Sequence, residues 1–266
     1  MHTCFSADSE APVTFMLDAA VEKGLEGVCI TDHMDLDFPE TPDFPANAFQ
    51  FDLDEYFGQL NRLKEQYKGK LDLRIGVEIG LQKHLGEAYH RLTEAYPFDF
   101  VIGSVHLVGG QDPYYRKIFE GRTDEEVYRM AFREILENVE AVKDFDALGH
   151  LDYVVRYGIH QAAEYSYRKF SDEIDAVLKK LIAEGKGLEM NLAGIKYGLG
   201  FPNPHPDVLK RYRELGGEII TIGADAHEPA HVAYEFEKAT EILRECGFSY
   251  YAEFHGRKPV FQRIVP

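Results

Sequence analysis

The strongest constraint on the fold is an alternation between two hydrophobic patterns. Stretches with apolar residues at every third or fourth position are followed by short, nearly continuous apolar runs. Such runs are typical of strands covered by helices on both faces, and this alternation is typical of βα units. We predict strands at 27–31, 73–79, 98–105, 147–149, 187–192 and 218–223, with a further strand at 248–254. We predict helices at 12–24, 52–68, 124–143, 170–184, 206–215 and 229–245. The pattern therefore predicts an α/β fold with a parallel sheet or barrel.

The chain of 266 residues contains no Pro/Gly/Ser-rich linker or break in composition, so we predict one domain over 1–266. The proline-bearing stretches 39–45 and 202–206 are short enough to be loops. Periodicity alone does not separate a closed barrel from an open, doubly wound sheet. Neither a Gly-x-Gly-x-x-Gly nor a Walker-type loop follows a predicted strand, which disfavours nucleotide binding.

The charge balance limits the classes of partner. A formal net charge of −17 would repel a phosphate backbone, so we expect no nucleic-acid partner. No apolar run is long enough to span a bilayer, and the acidic residues within 1–20 do not fit a signal peptide, so we expect no membrane role. Three scattered cysteines, Cys4, Cys29 and Cys246, predict free thiols and a cytoplasmic protein. The oligomeric state stays open.

Almost every predicted strand ends in residues that can bind a metal ion. In a parallel α/β barrel the carboxyl ends of all strands open onto one face, so these residues are expected to converge. They are Thr31-Asp32-His33, Gly76-Val77-Glu78, Gly103-Ser104-Val105-His106, Gly149-His150-Leu151-Asp152, Glu189-Met190-Asn191 and Gly223-Ala224-Asp225-Ala226-His227. We therefore predict a single site at the carboxyl ends of the strands.

Imidazoles and carboxylates without cysteine suit Zn, Mn or Fe, and one carboxylate can bridge two ions. Neighbouring ions can clamp a substrate phosphate and activate water, which phosphoester hydrolysis requires. A single histidine at a strand end is more often a capping or core residue. Four of them with Glu78 and Asp225, all at the same end of successive strands, favour a metal site. The six histidines that lack this placement are predicted to be surface residues, with His205 and His255 as weaker candidates for loop contacts: His84, His90, His160, His205, His231 and His255.

In order and spacing these motifs resemble the polymerase and histidinol phosphatase (PHP) family, most of all its histidinol-phosphate phosphatase branch. That family begins with His-x-His and a later Ser-x-Asp; here His2 matches the second histidine and Ser6-Ala7-Asp8 the later motif. The branch is suggested by Gly-Leu-Glu-Met-Asn at 187–191, by Gly194 and Lys196, and by Arg257-Lys258. The resemblance implies a distorted seven-stranded β/α barrel of the TIM-like kind, with three divalent ions (Zn, Mn or Fe).

Carried over position by position, the resemblance implies a set of metal ligands with Glu78 as a bridging carboxylate. Glu78, Asp225 and His227 are also the candidate catalytic residues. The implied ligands are His2, Asp8, His33, Glu78, His106, His150, Asp225 and His227.

The sequence departs from the family pattern at its first residue. Met1 occupies the middle position of His-x-His, so the first histidine has no counterpart. We interpret this as a first strand truncated at the N-terminus, by a start placed at an internal methionine; loss of one ligand from the protein itself is the alternative.

The resemblance implies hydrolysis of L-histidinol phosphate to L-histidinol and phosphate, a step of histidine biosynthesis, with a small phosphorylated metabolite as the partner. Arg156, Lys196 and Arg257 are candidates for a phosphate clamp, because guanidinium and ammonium groups bind phosphate oxygens. Asn191 is a candidate for binding substrate or orienting a ligand. Two alternatives stay open: another phosphoesterase of the family, acting on nucleotides or phosphotyrosine, and a non-catalytic metal-binding barrel.

Overall fold

The computed structural model describes residues 1–264 and contains a curled, mostly parallel sheet. The sheet order is β1-β3-β4-β5-β6-β7, and the short β2 also pairs with β3. These strands are β1 (Gly27–Ile30), β2 (His33–Met34), β3 (Asp72–Gly80), β4 (Phe100–Ser104), β5 (Ala147–Leu148), β6 (Gly187–Asn191) and β7 (Ile220–Gly223). The six strands that the sequence predicts for the sheet are confirmed, within two residues at each end.

Helices cover the sheet, and three of them, α2, α4 and α7, begin at a side-chain cap. In α4, Thr123 and Glu126 form a reciprocal capping box, and in α2 the Asp52 side chain accepts from the Glu55 N–H. The helices are α1 (Val13–Glu22), α2 (Leu53–Tyr67), α3 (Gly86–Ala95), α4 (Asp124–Ala141), α5 (Ser171–Ala183), α6 (Ala193–Lys196), α7 (Pro206–Glu214) and α8 (Phe236–Glu245). Their apolar faces bury residues such as Leu60 and Phe132 against the strands. Among the helices in 1–264, none combines the length and apolar character needed to cross a bilayer.

Strand register brings the carboxyl ends together at one edge. His33 pairs with Glu78 between β2 and β3, and Gly80 pairs with Ser104 between β3 and β4. On the other side of the sheet, Asn191 pairs with Gly223. The residues that follow these strands therefore open onto a common face.

The sheet is curled, as a distorted barrel requires, but in the described part of the chain it is not fully closed. Within residues 1–264, β1 and β7 do not pair, and a cleft of about 660 Å³ lies between them, lined by residues that include Val28 and Ile222. Residues 1–3 bridge the two strands at the carboxyl edge alone: the His2 N–H donates to the Ala226 carbonyl (2.8 Å), and the Thr31 N–H donates to the Met1 carbonyl (2.9 Å). The sheet is thus a curled half-barrel. Periodicity does not predict whether a sheet closes, since closure depends on pairing between distant segments.

Three elements differ from the sequence prediction. The strand expected at 248–254 is β8 (Tyr250–His255), which pairs antiparallel with β9 (Lys258–Arg263) outside the main sheet. The helix expected at 229–245 begins at Phe236, because Ala233 and Glu235 adopt positive φ and break it. Helix α3 was missed, since it buries a single residue, Tyr89, and so lacks a strong apolar period.

Candidate metal centre

Glu78, at the carboxyl end of β3, lies at the centre of the site. Its Oε1 is 3.1 Å from His106 Nε2 and 3.3 Å from His150 Nε2. Its Oε2 is 3.3 Å from His2 Nε2 and 3.9 Å from His33 Nδ1. One buried carboxylate therefore contacts four imidazoles that come from four different segments of the chain.

Two further carboxylates, Asp225 after β7 and Asp8 in the N-terminal loop, contact the histidines of the site. Asp225 Oδ1 is 3.4 Å from His2 Nε2 and 3.8 Å from His227 Nδ1. Asp8 Oδ2 is 3.2 Å from His227 Nε2 and 3.6 Å from His33 Nε2. The structure thus brings together all eight side chains that the sequence analysis singled out as ligands.

Asp225 adopts φ of 50°, in the left-handed region, which is uncommon for residues other than glycine. Neighbouring contacts hold this backbone in place. The His2 N–H donates to the Ala226 carbonyl (2.8 Å), and Ser9 Oγ donates to the His227 carbonyl (2.8 Å). The loop after β7 is therefore fixed in a shape that turns Asp225 and His227 toward the cluster.

Electrostatics at the site follow from burial and from the carboxylates. Burial alone would lower the pKa of His2, but Asp225 and Glu78 raise it to about 9. Burial, together with the nearby His2, lowers the pKa of His33 to about 4. For Glu78, burial would raise the pKa, but the surrounding histidines hold it well below its usual range. The carboxylates therefore stay ionised and attract positive charge into a buried space.

Asp35, which was not predicted, and Asp32, from the predicted strand end at 31–33, orient the ligands. Asp35 Oδ2 is 2.6 Å from His106 Nδ1, which leaves His106 Nε2 facing Glu78. Asp32 accepts from the hydroxyls of Thr3 (2.8 Å) and Ser6 (2.7 Å) and so holds the N-terminal loop. Buried carboxylates that bond the second nitrogen of a metal-binding histidine are a recurrent feature of metal sites. The sequence signal was present in Thr31-Asp32-His33-Met34-Asp35, where two acids flank a ligand candidate.

Arg156 and Lys196, both predicted to bind phosphate, lie beside Asp225. Arg156 Nη1 donates to Asp225 Oδ2 (3.2 Å), and Lys196 Nζ is 3.5 Å from the Asp225 carbonyl oxygen. Both cations contact the ring of Tyr197, at 4.8 and 4.9 Å from its centroid. The structure thus brings two basic groups to the edge of the ligand cluster.

Asn191 is buried, and both ends of its amide have partners within the protein. Its Nδ2 donates to Glu189 Oε2 (3.1 Å), and its Oδ1 accepts from the Ala193 N–H (3.0 Å). Glu189 Oε2 also accepts from the His150 N–H (3.0 Å). This arrangement fits the alternative in which Asn191 orients a ligand; its contact with substrate stays a prediction.

Arg257 lies away from the site, which contradicts its predicted role in substrate binding. Its guanidinium Nε donates to Asp146 Oδ2, and its N–H donates to the Asp99 carbonyl (2.9 Å). Both aspartates immediately precede strands, so Arg257 lies at the amino ends of β4 and β5, opposite the cluster. The hairpin of β8 and β9 carries it there, and sequence spacing gave no indication of that position.

Five of the six remaining histidines contact acidic side chains outside the cluster. His84 contacts Asp37 (2.9 Å) and His90 contacts Asp144 (3.1 Å). The His205 ring Nδ1 accepts from the Asp207 N–H at the start of α7, and the backbone N–H of His205 donates to Asp152 Oδ2. These contacts fit the predicted surface positions.

The donor set fits divalent metal ions. His33 Nδ1, His150 Nδ1 and His227 Nε2 are buried and have no hydrogen-bond partner among residues 1–264. Two groups, His2 with His33 and His227, and His33 with Glu78 and His106, offer ligand atoms within 4.8 Å of one another. Neutral imidazole nitrogen with carboxylate oxygen is a donor combination for Zn, Mn and Fe.

A model of the PHP domain matches residues 1–193, which include five of the strand ends described above. The chain belongs to the PHP domain family. Two relatives match this PHP-domain protein over almost its whole length. The probable histidinol-phosphatase of Clostridium acetobutylicum is 33% identical over 261 residues, covering 98% of this chain and 94% of the relative. The histidinol-phosphatase of Lactococcus lactis is 32% identical, covering 97% of this chain and 93% of the relative.

Solved structures share the fold of this PHP domain. The crystal structure of the Lactococcus lactis histidinol phosphate phosphatase, complexed with Zn, L-histidinol and phosphate, superposes with a TM-score of 0.86 at 30% identity. The match covers 98% of this chain and 97% of that one. A putative histidinol phosphatase from Listeria monocytogenes, 18% identical with a TM-score of 0.72 over 89% of this chain and 97% of that one, shares the fold.

Proposed function

We propose that this PHP-domain protein is a metal-dependent histidinol-phosphate phosphatase, which hydrolyses L-histidinol phosphate to L-histidinol and phosphate. The observation that carries the proposal is the convergence of four imidazoles on Glu78, with two basic groups beside the same cluster. The substrate is supported by the names of the relatives and by the ligands of the Lactococcus lactis structure.

The proposed cofactors are three divalent ions, with zinc favoured and manganese or iron as alternatives. Zinc is supported by its presence in the Lactococcus lactis structure. When bound, such ions activate water and neutralise charge on the phosphate oxygens. The proposed ligands are His2, Asp8, His33, Glu78, His106, His150, Asp225 and His227.

The side chains of this protein would bind and orient the ester. Arg156 and Lys196 are proposed to hold the phosphoryl group, Arg156 through a planar fork and Lys196 as a point charge. Asp225 links the basic groups to the histidine cluster, since its Oδ2 accepts a hydrogen bond from Arg156 while its Oδ1 faces His2. We keep Glu78, Asp225 and His227 as the proposed catalytic residues, because Glu78 contacts four imidazoles and Asp225 contacts both His227 and Arg156.

The partner would accordingly be a small phosphorylated metabolite. We also propose a cytoplasmic location, which is supported by Cys4, Cys29 and Cys246 all being free thiols.

A panel of phosphate esters tests the function. Purified, zinc-loaded protein is assayed with histidinol phosphate, p-nitrophenyl phosphate, phosphotyrosine and nucleotides, and kcat/KM is compared. We expect histidinol phosphate to be preferred by at least about tenfold, the discrimination that roughly 1.4 kcal/mol of extra transition-state binding gives. If histidinol phosphate is no better than p-nitrophenyl phosphate, the proposed substrate is wrong; if every ester fails, a non-catalytic metal-binding protein is favoured.

Elemental analysis tests the cofactors. Protein purified without chelator is expected to carry three equivalents of transition metal, one for each ion of the proposed centre. Fewer than two equivalents would contradict the centre as proposed.

A further inference from the structure

The Arg156 guanidinium is held on several sides by the protein. Its side chain is 3% exposed, and its Cζ lies over the rings of Tyr153 (5.1 Å from the centroid) and Tyr197 (4.8 Å). Nε donates to Asn203 Oδ1 (2.8 Å), and Nη1 donates to Asp225 Oδ2 (3.2 Å). The third nitrogen, Nη2, is buried without a hydrogen-bond partner in the described chain. Nη2 therefore keeps unused hydrogen-bond donors.

Asn203 connects Arg156 to a second buried charge. Its Oδ1 faces Arg156 Nε, while its Nδ2 donates to Asp152 Oδ1. Asp152 is fully buried and also accepts from the His205 N–H (2.9 Å). An ionised carboxylate can only accept hydrogen bonds and a guanidinium can only donate them, so the amide between them has one favourable orientation. Asp152 thus sets the direction of the Asn203 amide.

The backbone of Asn203 is itself fixed to the sheet. Its N–H donates to the Asn191 carbonyl (2.8 Å), and its carbonyl accepts from the Asn191 N–H (2.7 Å), at the end of β6. Gly194 leaves room for this segment, since a Cβ there would lie 2.8 Å from Asn203 Oδ1 and 2.5 Å from the Phe201 carbonyl oxygen. The amide is therefore anchored to the same strand end that supports the candidate metal centre.

We propose that Asn203 and Asp152 are positioning residues that orient Arg156 so that its Nη2 edge binds the phosphoryl group of the substrate. The inference rests on the proposed function, because it requires a phosphate at the metal centre. Neither residue touches the substrate in this proposal; both act through the guanidinium. A purely structural role for the two residues is the alternative, and the two roles differ in their effect on phosphate affinity.

The experiment measures binding of inorganic phosphate to zinc-loaded protein by calorimetry, after unbound zinc has been removed. The variants are Asn203→Ala, Asp152→Asn, Arg156→Ala and the double variant Asn203→Ala with Arg156→Ala. The matched control is Asn138→Ala in α4, which removes a similarly buried amide that donates to the Leu81 carbonyl (3.0 Å). Thermal unfolding of each variant is measured in parallel.

We expect Asn203→Ala to weaken phosphate binding by roughly ten- to a hundredfold, the range seen when groups behind a ligand-binding side chain are removed. Asp152→Asn should weaken it less, because the new amide can still bond Asn203 but no longer dictates its direction. Asn203→Ala should cause no further loss in the Arg156→Ala background, since both changes remove one interaction. Asn138→Ala should lower the unfolding temperature to a similar degree while leaving phosphate affinity unchanged.

Three results would overturn the proposal: phosphate affinity of Asn203→Ala equal to that of the unmodified protein, additive losses in the double variant, or no phosphate binding by the unmodified protein. A protein that binds phosphate with this pattern of variants, yet hydrolyses no ester in the panel, would overturn the proposed function and leave this inference standing.

Discussion

At the scale of single residues, a carboxylate that bonds a proposed ligand sets the orientation and the pKa of that ligand. The pKa of His106 would be lowered by burial, but Asp35 and Glu78 raise it well above its usual range. Because Asp35 bonds Nδ1, the other ring nitrogen stays directed at Glu78. Asp35 thus sets both the orientation and the basicity of one proposed ligand.

We predict that Asp35→Asn weakens zinc binding by roughly ten- to a hundredfold, because a neutral amide is a poorer partner for the His106 ring. Competition with a chromophoric chelator measures the affinity. Asp37→Asn is the matched control, since Asp37 also contacts a histidine, His84, but on the exposed surface. Equal zinc affinity of the Asp35 variant and its control would show that Asp35 does not tune the ligand.

At the scale of elements, glycine has opposite effects in a helix and in a packed strand. A Cβ at Gly58, inside α2, would meet no atom closer than Arg62 Nη1 at 3.9 Å. A Cβ at Gly76, inside β3, would lie 2.7 Å from both the Phe100 carbonyl oxygen and Cys29 Sγ. The first glycine costs conformational entropy, whereas the second allows two strands and the side chain behind them to pack.

Accordingly, Gly58→Ala should raise the free energy of unfolding by about 0.5–1 kcal/mol. Gly76→Ala should lower it by about 1–3 kcal/mol through overpacking. Urea denaturation at a fixed zinc concentration measures both. A Gly76 variant as stable as the unmodified protein would mean that β3 and β4 can separate at little cost.

An ion pair between α5 and α7 makes stability depend on pH. Asp175 accepts from Arg211 Nε (3.0 Å) and Nη2 (2.7 Å), and from the Tyr167 hydroxyl (2.7 Å). The hydrogen bonds from Arg211 lower the pKa of Asp175, against the opposing effect of burial. A lowered pKa in the folded state means that the stabilisation is present above the unfolded pKa of about 3.9 and is lost as the pH falls through the folded value.

We therefore expect Asp175→Asn to cost about 1–2 kcal/mol of unfolding free energy at pH 7, since it removes charged hydrogen bonds. The difference from the unmodified protein should shrink as the pH falls below about 4. Urea titrations of metal-free protein, from pH 7 to below about pH 4, test this pH dependence. Glu65→Gln, which removes an exposed pair with Lys68, should show no such difference; a constant penalty for Asp175→Asn at every pH would contradict the ionic origin.

At the scale of the whole molecule, the candidate metal centre joins segments from residue 2 to residue 227. Its ligands come from the N-terminal loop, from β2 and β3, and from the loops after β4, β5 and β7. Ions bound there would link both ends of an unclosed sheet. Metal binding should therefore stabilise the entire fold, because the unfolded chain does not hold these ligands together.

Zinc at a hundred times its dissociation constant should stabilise the protein by about 2.7 kcal/mol for each independent site. For a chain of this size that corresponds to a rise in unfolding temperature of roughly 5–10 °C. Thermal scans with zinc and with chelator measure the shift. Glu78→Gln, which keeps the shape of the central side chain but removes its charge, should abolish most of this rise in unfolding temperature. An unfolding temperature that does not change with zinc would contradict a centre that spans the fold.

Local pattern was enough to predict most of the sheet and the convergence of the proposed ligands. The strands appear in the sequence as apolar runs because helices cover both of their faces. The ligands converge because parallel strands place their carboxyl ends at one edge. Pattern could not locate β9, because five of its six residues are exposed, or α3, which buries a single residue. Asp35 was missed although it lies two residues from His33, because its partner His106 is distant in sequence.

The sequence by itself determined the order of βα units and the residue types at the strand ends, since both depend on neighbouring positions and on the period of a strand or helix. Tertiary structure decided what depends on distant contacts. Within residues 1–264 it left β1 and β7 without pairing to each other, moved Arg257 to the opposite edge beside Asp146, and placed Asn203 between Asp152 and Arg156. These outcomes depend on which remote surfaces pack together, and no local period encodes that choice.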